Sequence, residues 1–174
     1  MRYHLILIIF LLTLSHPAAA EWTIITHTNI ENNLETRVAH TENKDGYALE
    51  IYRDSSGAIR SRFSMNNNLN RLDDKTCPTY QIDKKRGFQN RSINDAPCIS
   101  YRKWAEFVLG YIIDKEVTST PLHNMMNGNT ISYRFILENS GYGETTFSLA
   151  GSKRILTDVL GNDLQVNLES GAAN

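Results

Sequence analysis

From residue 22 onward, apolar side chains keep returning at every second position, in short stretches broken by turn residues. Half-buried strands satisfy that pattern, because alternate side chains of a strand point to opposite faces. Over Ala58–Met65, Ile59, Phe63 and Met65 fall on one side while Arg60 and Arg62 fall on the other, which predicts a strand with one wet face. Residues 46–52 are of the same kind, entered through Asp45-Gly46 and left through Asp54-Ser55-Ser56-Gly57, so the two stretches read as a hairpin. Residues 22–26, 78–83, 130–137 and 144–149 extend the series. The stretch 104–113 suits a helix or a buried strand by length, and its aromatic and branched content favours strand.

Two stretches follow helical spacing instead. Ser119-Thr120-Pro121 offers a cap and an early proline ahead of residues 122–127, with Gly128 as the stop. Ser152 is placed to cap residues 153–160, where Ile155, Leu156, Val159 and Leu160 share one face before Gly161. The expected fold is therefore mainly β: an antiparallel β-sandwich or jelly-roll-like domain with two short helices. It spans residues 21–166, followed by a small, polar, flexible tail over 167–174. Residues 66–74 read as a turn-rich loop and 84–97 as a long surface loop.

Residues 1–20 stand outside this scheme. Arg2, an apolar run over 5–14, a polar break at Ser15-His16-Pro17 and the small residues Ala18-Ala19-Ala20 form the three parts of a secretory signal, cut before Glu21. The apolar run is about half of what a bilayer span requires. The expected location is thus outside the cytoplasm, in a bacterial periplasm or beyond it, with no transmembrane segment after cleavage. An oxidising compartment pairs Cys77 with Cys98, since neither belongs to a C-x-x-C motif or lies among metal-ligand residues. Of the 18 basic and 19 acidic side chains, only Arg2 leaves with the signal, so bulk positive charge for nucleic acid is absent.

The run Met125-Met126-Asn127-Gly128-Asn129-Thr130-Ile131-Ser132-Tyr133-Arg134-Phe135 precedes Gly141-Tyr142-Gly143-Glu144-Thr145-Thr146-Phe147-Ser148-Leu149 and then Gly151-Ser152. This order resembles the end of invasion-associated locus B proteins, exported bacterial β-sandwich proteins. The opening Trp22 strand and Tyr80-Gln81-Ile82-Asp83 fit the same plan. The chain carries fewer cysteines than that family usually does and reads as a divergent member. The resemblance implies the fold and an association with host-cell invasion, and it supplies no catalytic residues.

Catalytic, metal and cofactor sites are not expected. His27, His40 and His123 lie on three separate elements, without an H-E-x-x-H motif, a nucleophile elbow or a phosphate-binding glycine loop. Asp73-Asp74 lacks the spaced oxygens of a calcium loop. Trp104, Phe107, Tyr111, Met125 and Met126 read as core. Lys84, Lys85, Arg86, Arg91, Arg102 and Lys103, interleaved with Tyr80, Phe88 and Tyr101, form a candidate surface for an anionic lipid, polysaccharide or acidic partner. The competing explanation is a loop kept soluble by charge. The functional expectation is an exported, soluble, non-catalytic interaction module with an envelope or host-surface partner. The alternatives are a periplasmic hydrolase assembled from dispersed His, Asp and Glu residues, or a purely structural envelope protein.

Overall fold

The computed structural model describes residues 21–30, 33–65, 70–84 and 98–169. The expected secretory signal and, within the basic loop, Lys85, Arg86 and Arg91 lie outside the described residues. Six strands form the larger antiparallel sheet, in the order β1 (Thr23–Thr28), β2 (Glu35–Glu42), β3 (Tyr47–Arg53), β4 (Ala58–Met65), β7 (Trp104–Tyr111) and β6 (Ile99–Ser100). A second antiparallel sheet runs β10 (Tyr142–Ser148), β9 (Thr130–Ile136), β5 (Thr79–Ile82). A short parallel pair joins β8 (Glu116–Thr118) to β11 (Gln165–Asn167). With α1 (Thr120–Asn127) and α2 (Ser152–Leu160), the fold is mainly β with two short helices.

The two larger sheets meet through aromatic side chains. Alternation on β4 sends Ile59, Phe63 and Met65 inward. The Phe63 ring stacks on Tyr133 of β9 at 4.8 Å and lies 5.3 Å from Phe135. On β7, Phe107 meets Tyr80 of β5 edge-on at 5.4 Å. Such ring pairs add about 0.5–1.5 kcal/mol each beyond the area they bury. The helices close the core, with Leu122 and Met125 of α1 and Ile155, Leu156 and Leu160 of α2 buried against it.

Ser119 caps α1, its Oγ accepting from Leu122 N at 3.2 Å. The α2 cap differs from the expectation. Gly151 occupies the cap position at a φ of 83°, a conformation natural to glycine, and Ser152 is the first helical residue. The buried Ser152 Oγ instead donates to Met125 O at 2.7 Å, tying α2 to α1.

Asn167 and Glu169, expected in the flexible tail, are tied to the fold, and 170–174 lie outside the described residues. Asn167 belongs to β11 and its carbonyl accepts from Ser119 N at 2.8 Å, while Glu169 N donates to Thr120 Oγ1. Tyr111, expected in the core, is exposed. Ile59 pairs with Gly110 whereas Arg60 pairs with Val108, so Leu109 is an extra residue on β7. Such a bulge exchanges inside and outside beyond it, and Tyr111 therefore turns outward. Among the described residues, no helix is long and apolar enough to cross a membrane.

Candidate functional site

The alternation that buries Phe63 sends Arg60 and Arg62 to the opposite face of the larger sheet. Strand register places further polar groups beside them: His40 pairs with Glu50, Glu50 with Arg62, and Arg62 with Glu106. A row of alternating charge character thus crosses four strands on the side away from the second sheet. Opposite charges facing each other across strands are mutually stabilising.

Glu106 is the hub. Its Oε1 accepts from Arg60 Nη1 at 2.9 Å, and its Oε2 accepts from Arg62 Nη2 at 2.9 Å and from Nε at 3.1 Å. Tyr52 Oη donates to the same Oε2. Arg60 Nε also donates to Asp54 Oδ2 at 2.6 Å. Asp54 in turn accepts from Ser56 N and Ala58 N, so the β3–β4 turn is wired into the network. The Arg62 guanidinium lies 4.7 Å from the Trp104 ring centre and 5.4 Å from that of Tyr52, and Tyr101 packs 4.4 Å from Trp104. Arginine held between aromatic faces gains cation–π attraction as well as ion pairing.

A second carboxylate stands in the same row. Glu50 Oε1 lies 3.2 Å from His27 Nε2 and 3.4 Å from His40 Nδ1. His40 is the direct cross-strand neighbour of Glu50, but His27 pairs with Thr36, four positions along β2. The His27–Glu50 contact therefore runs diagonally, over Val38, which is fully buried on this outer face. The Tyr52–Glu106 bond crosses from β3 to β7 along the same diagonal, the direction in which a twisted sheet draws its corners together.

Burial raises the Tyr52 hydroxyl pKa, and the hydrogen bond to Glu106 raises it further. Burial would also raise the Glu50 carboxyl, but the hydrogen bonds and charge of His40 and His27 outweigh it and hold Glu50 below the usual carboxylate range. Asp54 is lowered in the same manner, with burial overcome by bonds from Ser56 and Arg60. Among the described residues, the His27 and His40 imidazoles bond to Glu50, the Thr23 hydroxyl reaches only the His40 carbonyl, and no three His, Cys, Asp or Glu groups are placed to hold a metal ion. The arrangement can present an ordered charged and aromatic surface.

The residues singled out by sequence are more dispersed. Cys77 and Cys98 are disulfide-bonded with Cα atoms 5.9 Å apart. Arg102 pairs with Glu138 at 3.3 Å, just past the end of β9, and Lys103 Nζ donates to Asn70 O at 3.4 Å. Lys84 follows Ile82, which pairs with Ile131 near the start of β9. The backbones of Lys84 and Arg102 therefore sit toward opposite ends of that strand, and Arg102 and Lys103 take separate partners. His123 lies on α1, its Nδ1 buried and, among the described residues, without a hydrogen-bond partner. Phe107 and Met125 are core, whereas Trp104 belongs to the outer face. A cavity of about 310 Å³ lined by Asn70, Arg71, Leu137, Glu138 and Asn139 opens at the β9–β10 turn.

The outer row went unforeseen as a site, although its signal lies in the sequence. Glu50, Arg60, Arg62 and Glu106 are charges set inside strand stretches, all at even positions, with opposite signs on adjacent strands. Comparison with protein-family models, curated proteins and solved structures finds no match to this chain.

Proposed function

We propose that this chain is an exported, non-catalytic β-sandwich protein of the bacterial periplasm or cell exterior, serving as an interaction module at an envelope or host surface. The observation that carries this is the outer row of the larger sheet. Glu106 and Glu50 are buried there and bonded to Arg60, Arg62, Tyr52, His27 and His40. Charges so committed build a stiff, ordered surface of the kind a partner can dock on. The Cys77–Cys98 bridge supports an oxidising compartment. Kinship with invasion-associated locus B proteins rests on the motif run between Met125 and Ser152.

Lys84, Lys85, Arg86 and Arg91 remain the candidate contact for an anionic envelope component. Sedimentation with phosphatidylglycerol vesicles, at low and high salt, tests this with the four residues changed to alanine. The expected result is salt-sensitive binding that the variant loses. Equal binding by both proteins at every salt concentration removes the charged-loop contact.

The His27 and His40 contacts to Glu50 favour one second reading, the dispersed-site hydrolase, because carboxylate-oriented imidazole is the usual general base. Turnover of ester or phosphoester substrates that Glu50→Gln abolishes without unfolding would support it. No turnover by the wild-type chain would end it.

A further inference from the structure

We propose that β1 is a self-association edge, pairing antiparallel with β1 of a second copy about a twofold axis through Ile25. Among the described residues β1 is the outermost strand of the larger sheet, and its register with β2 is regular over all six residues. Long edge strands are normally blunted by charge, proline or a bulge. Thr23-Ile24-Ile25-Thr26-His27-Thr28 carries no proline, no Lys, Arg, Asp or Glu, and no bulge. The other described edges of the two larger sheets are protected. β6 has only two residues and β5 four, while β10 carries Gly143 and the Glu144–Arg134 ion pair.

The occupant follows from the side chains that pairing would bring together. A twofold perpendicular to the sheet keeps each face continuous, so opposed residues must share parity. Centred on Ile25, that register sets Ile25 against Ile25, Ile24 against Thr26 and Thr23 against His27. The central pair is apolar, Ile24 meets the β-branched Thr26, hydroxyl meets imidazole, and no pair of formally charged side chains is opposed. His27 is held toward Glu50 on the outer face, which leaves the backbone edge clear of it. Beyond the strand, Ile30 is 94% exposed and Leu34 58% exposed, adding apolar surface on the same hairpin.

Two six-residue strands bury less than a standard interface, so association should fall in the micromolar range. Sedimentation equilibrium of the purified, disulfide-intact protein between about 1 and 200 μM covers that range. The wild type should pass from monomer to dimer, and Ile25→Lys should stay monomeric because two ammonium groups would face each other. Ile25→Cys should form a cross-linked dimer on mild oxidation, since the two thiols meet at the axis. That second variant reads the register even if the lysine change disturbs folding. A wild type that is monomeric throughout overturns the proposal and leaves the edge to a strand of another protein. A wild-type dimer that persists in Ile25→Lys, or an Ile25→Cys protein that dimerises without cross-linking, also overturns it.

Discussion

Glu50 shows how one side chain can carry a pH dependence. Its carboxylate is buried on the outer face of β3 and bonded to His27 and His40. Burial opposes ionisation, yet the two imidazoles more than compensate, and the folded pKa lies below the ordinary glutamate value. A carboxyl depressed by folding stabilises the native state above its unfolded pKa, and that contribution fades as pH falls through the folded pKa. The acid-side loss of stability should therefore begin near pH 4 and deepen below it. Asp54 contributes with the same sign. Glu50→Gln removes the titrating group while keeping a hydrogen-bond acceptor. Urea midpoints measured from about pH 6 to pH 3 should fall less steeply for Glu50→Gln than for the wild type. Parallel curves would show that Glu50 is not a group through which acid acts.

Elements were legible where one face was apolar and the other polar. β4 was read with its observed bounds because Ile59, Phe63 and Met65 alternate with the arginines. β2 gave no such signal: Val38 and Ala39 are adjacent and both buried, since the outer face above Val38 is covered by the His27–Glu50 contact. β8 and β11, of three residues each, are too short for periodicity and exist through their mutual pairing. The outer row depends on a register between strands distant in sequence, which no local pattern encodes. Gly143 of β10 illustrates a requirement that is visible in sequence only as composition. Gly143 pairs with Phe135, and a Cβ there would lie 2.2 Å from the Phe135 ring. Phe135 is core, packed on Tyr47 and Phe63, so it has little room to yield. Gly143→Ala should cost about 1–3 kcal/mol, the range for overpacking a filled site. Gly46→Ala meets nothing within 4 Å but sits at a φ of 76°, so its cost should come from backbone strain alone. Thermal unfolding of a Gly143→Ala, Phe135→Leu double variant separates the two causes. Relief of the Gly143→Ala penalty by the smaller partner supports the ring contact, and additive losses argue against it.

At the scale of the whole molecule, the Cys77–Cys98 bridge is a clip between sheets. Cys77 lies two residues before β5, an edge of the second sheet, and Cys98 lies immediately before β6, the far edge of the larger one. β6 has only two residues and, among the described residues, pairs with β7 alone, so its ladder hydrogen bonds give it little hold. The bridge closes a loop spanning a sequence separation of 21, for which the chain-entropy estimate is about 3 kcal/mol. The main core does not need it, because Phe63, Tyr133, Phe107 and Tyr80 interlock the sheets independently. Reduction should therefore lower the melting temperature by about 10 °C, from that energy and the usual shift per kcal/mol for a domain this size, while far-ultraviolet circular dichroism of the folded protein stays the same. Amide exchange should accelerate first at Ile99 and Ser100, where the clip and the sheet edge coincide. A Cys77→Ser, Cys98→Ser variant should match the reduced wild type. If reduction leaves both the midpoint and the exchange at β6 unchanged, the two sheet edges are held by packing alone; if it unfolds the protein outright, the aromatic core is weaker than its ring contacts imply.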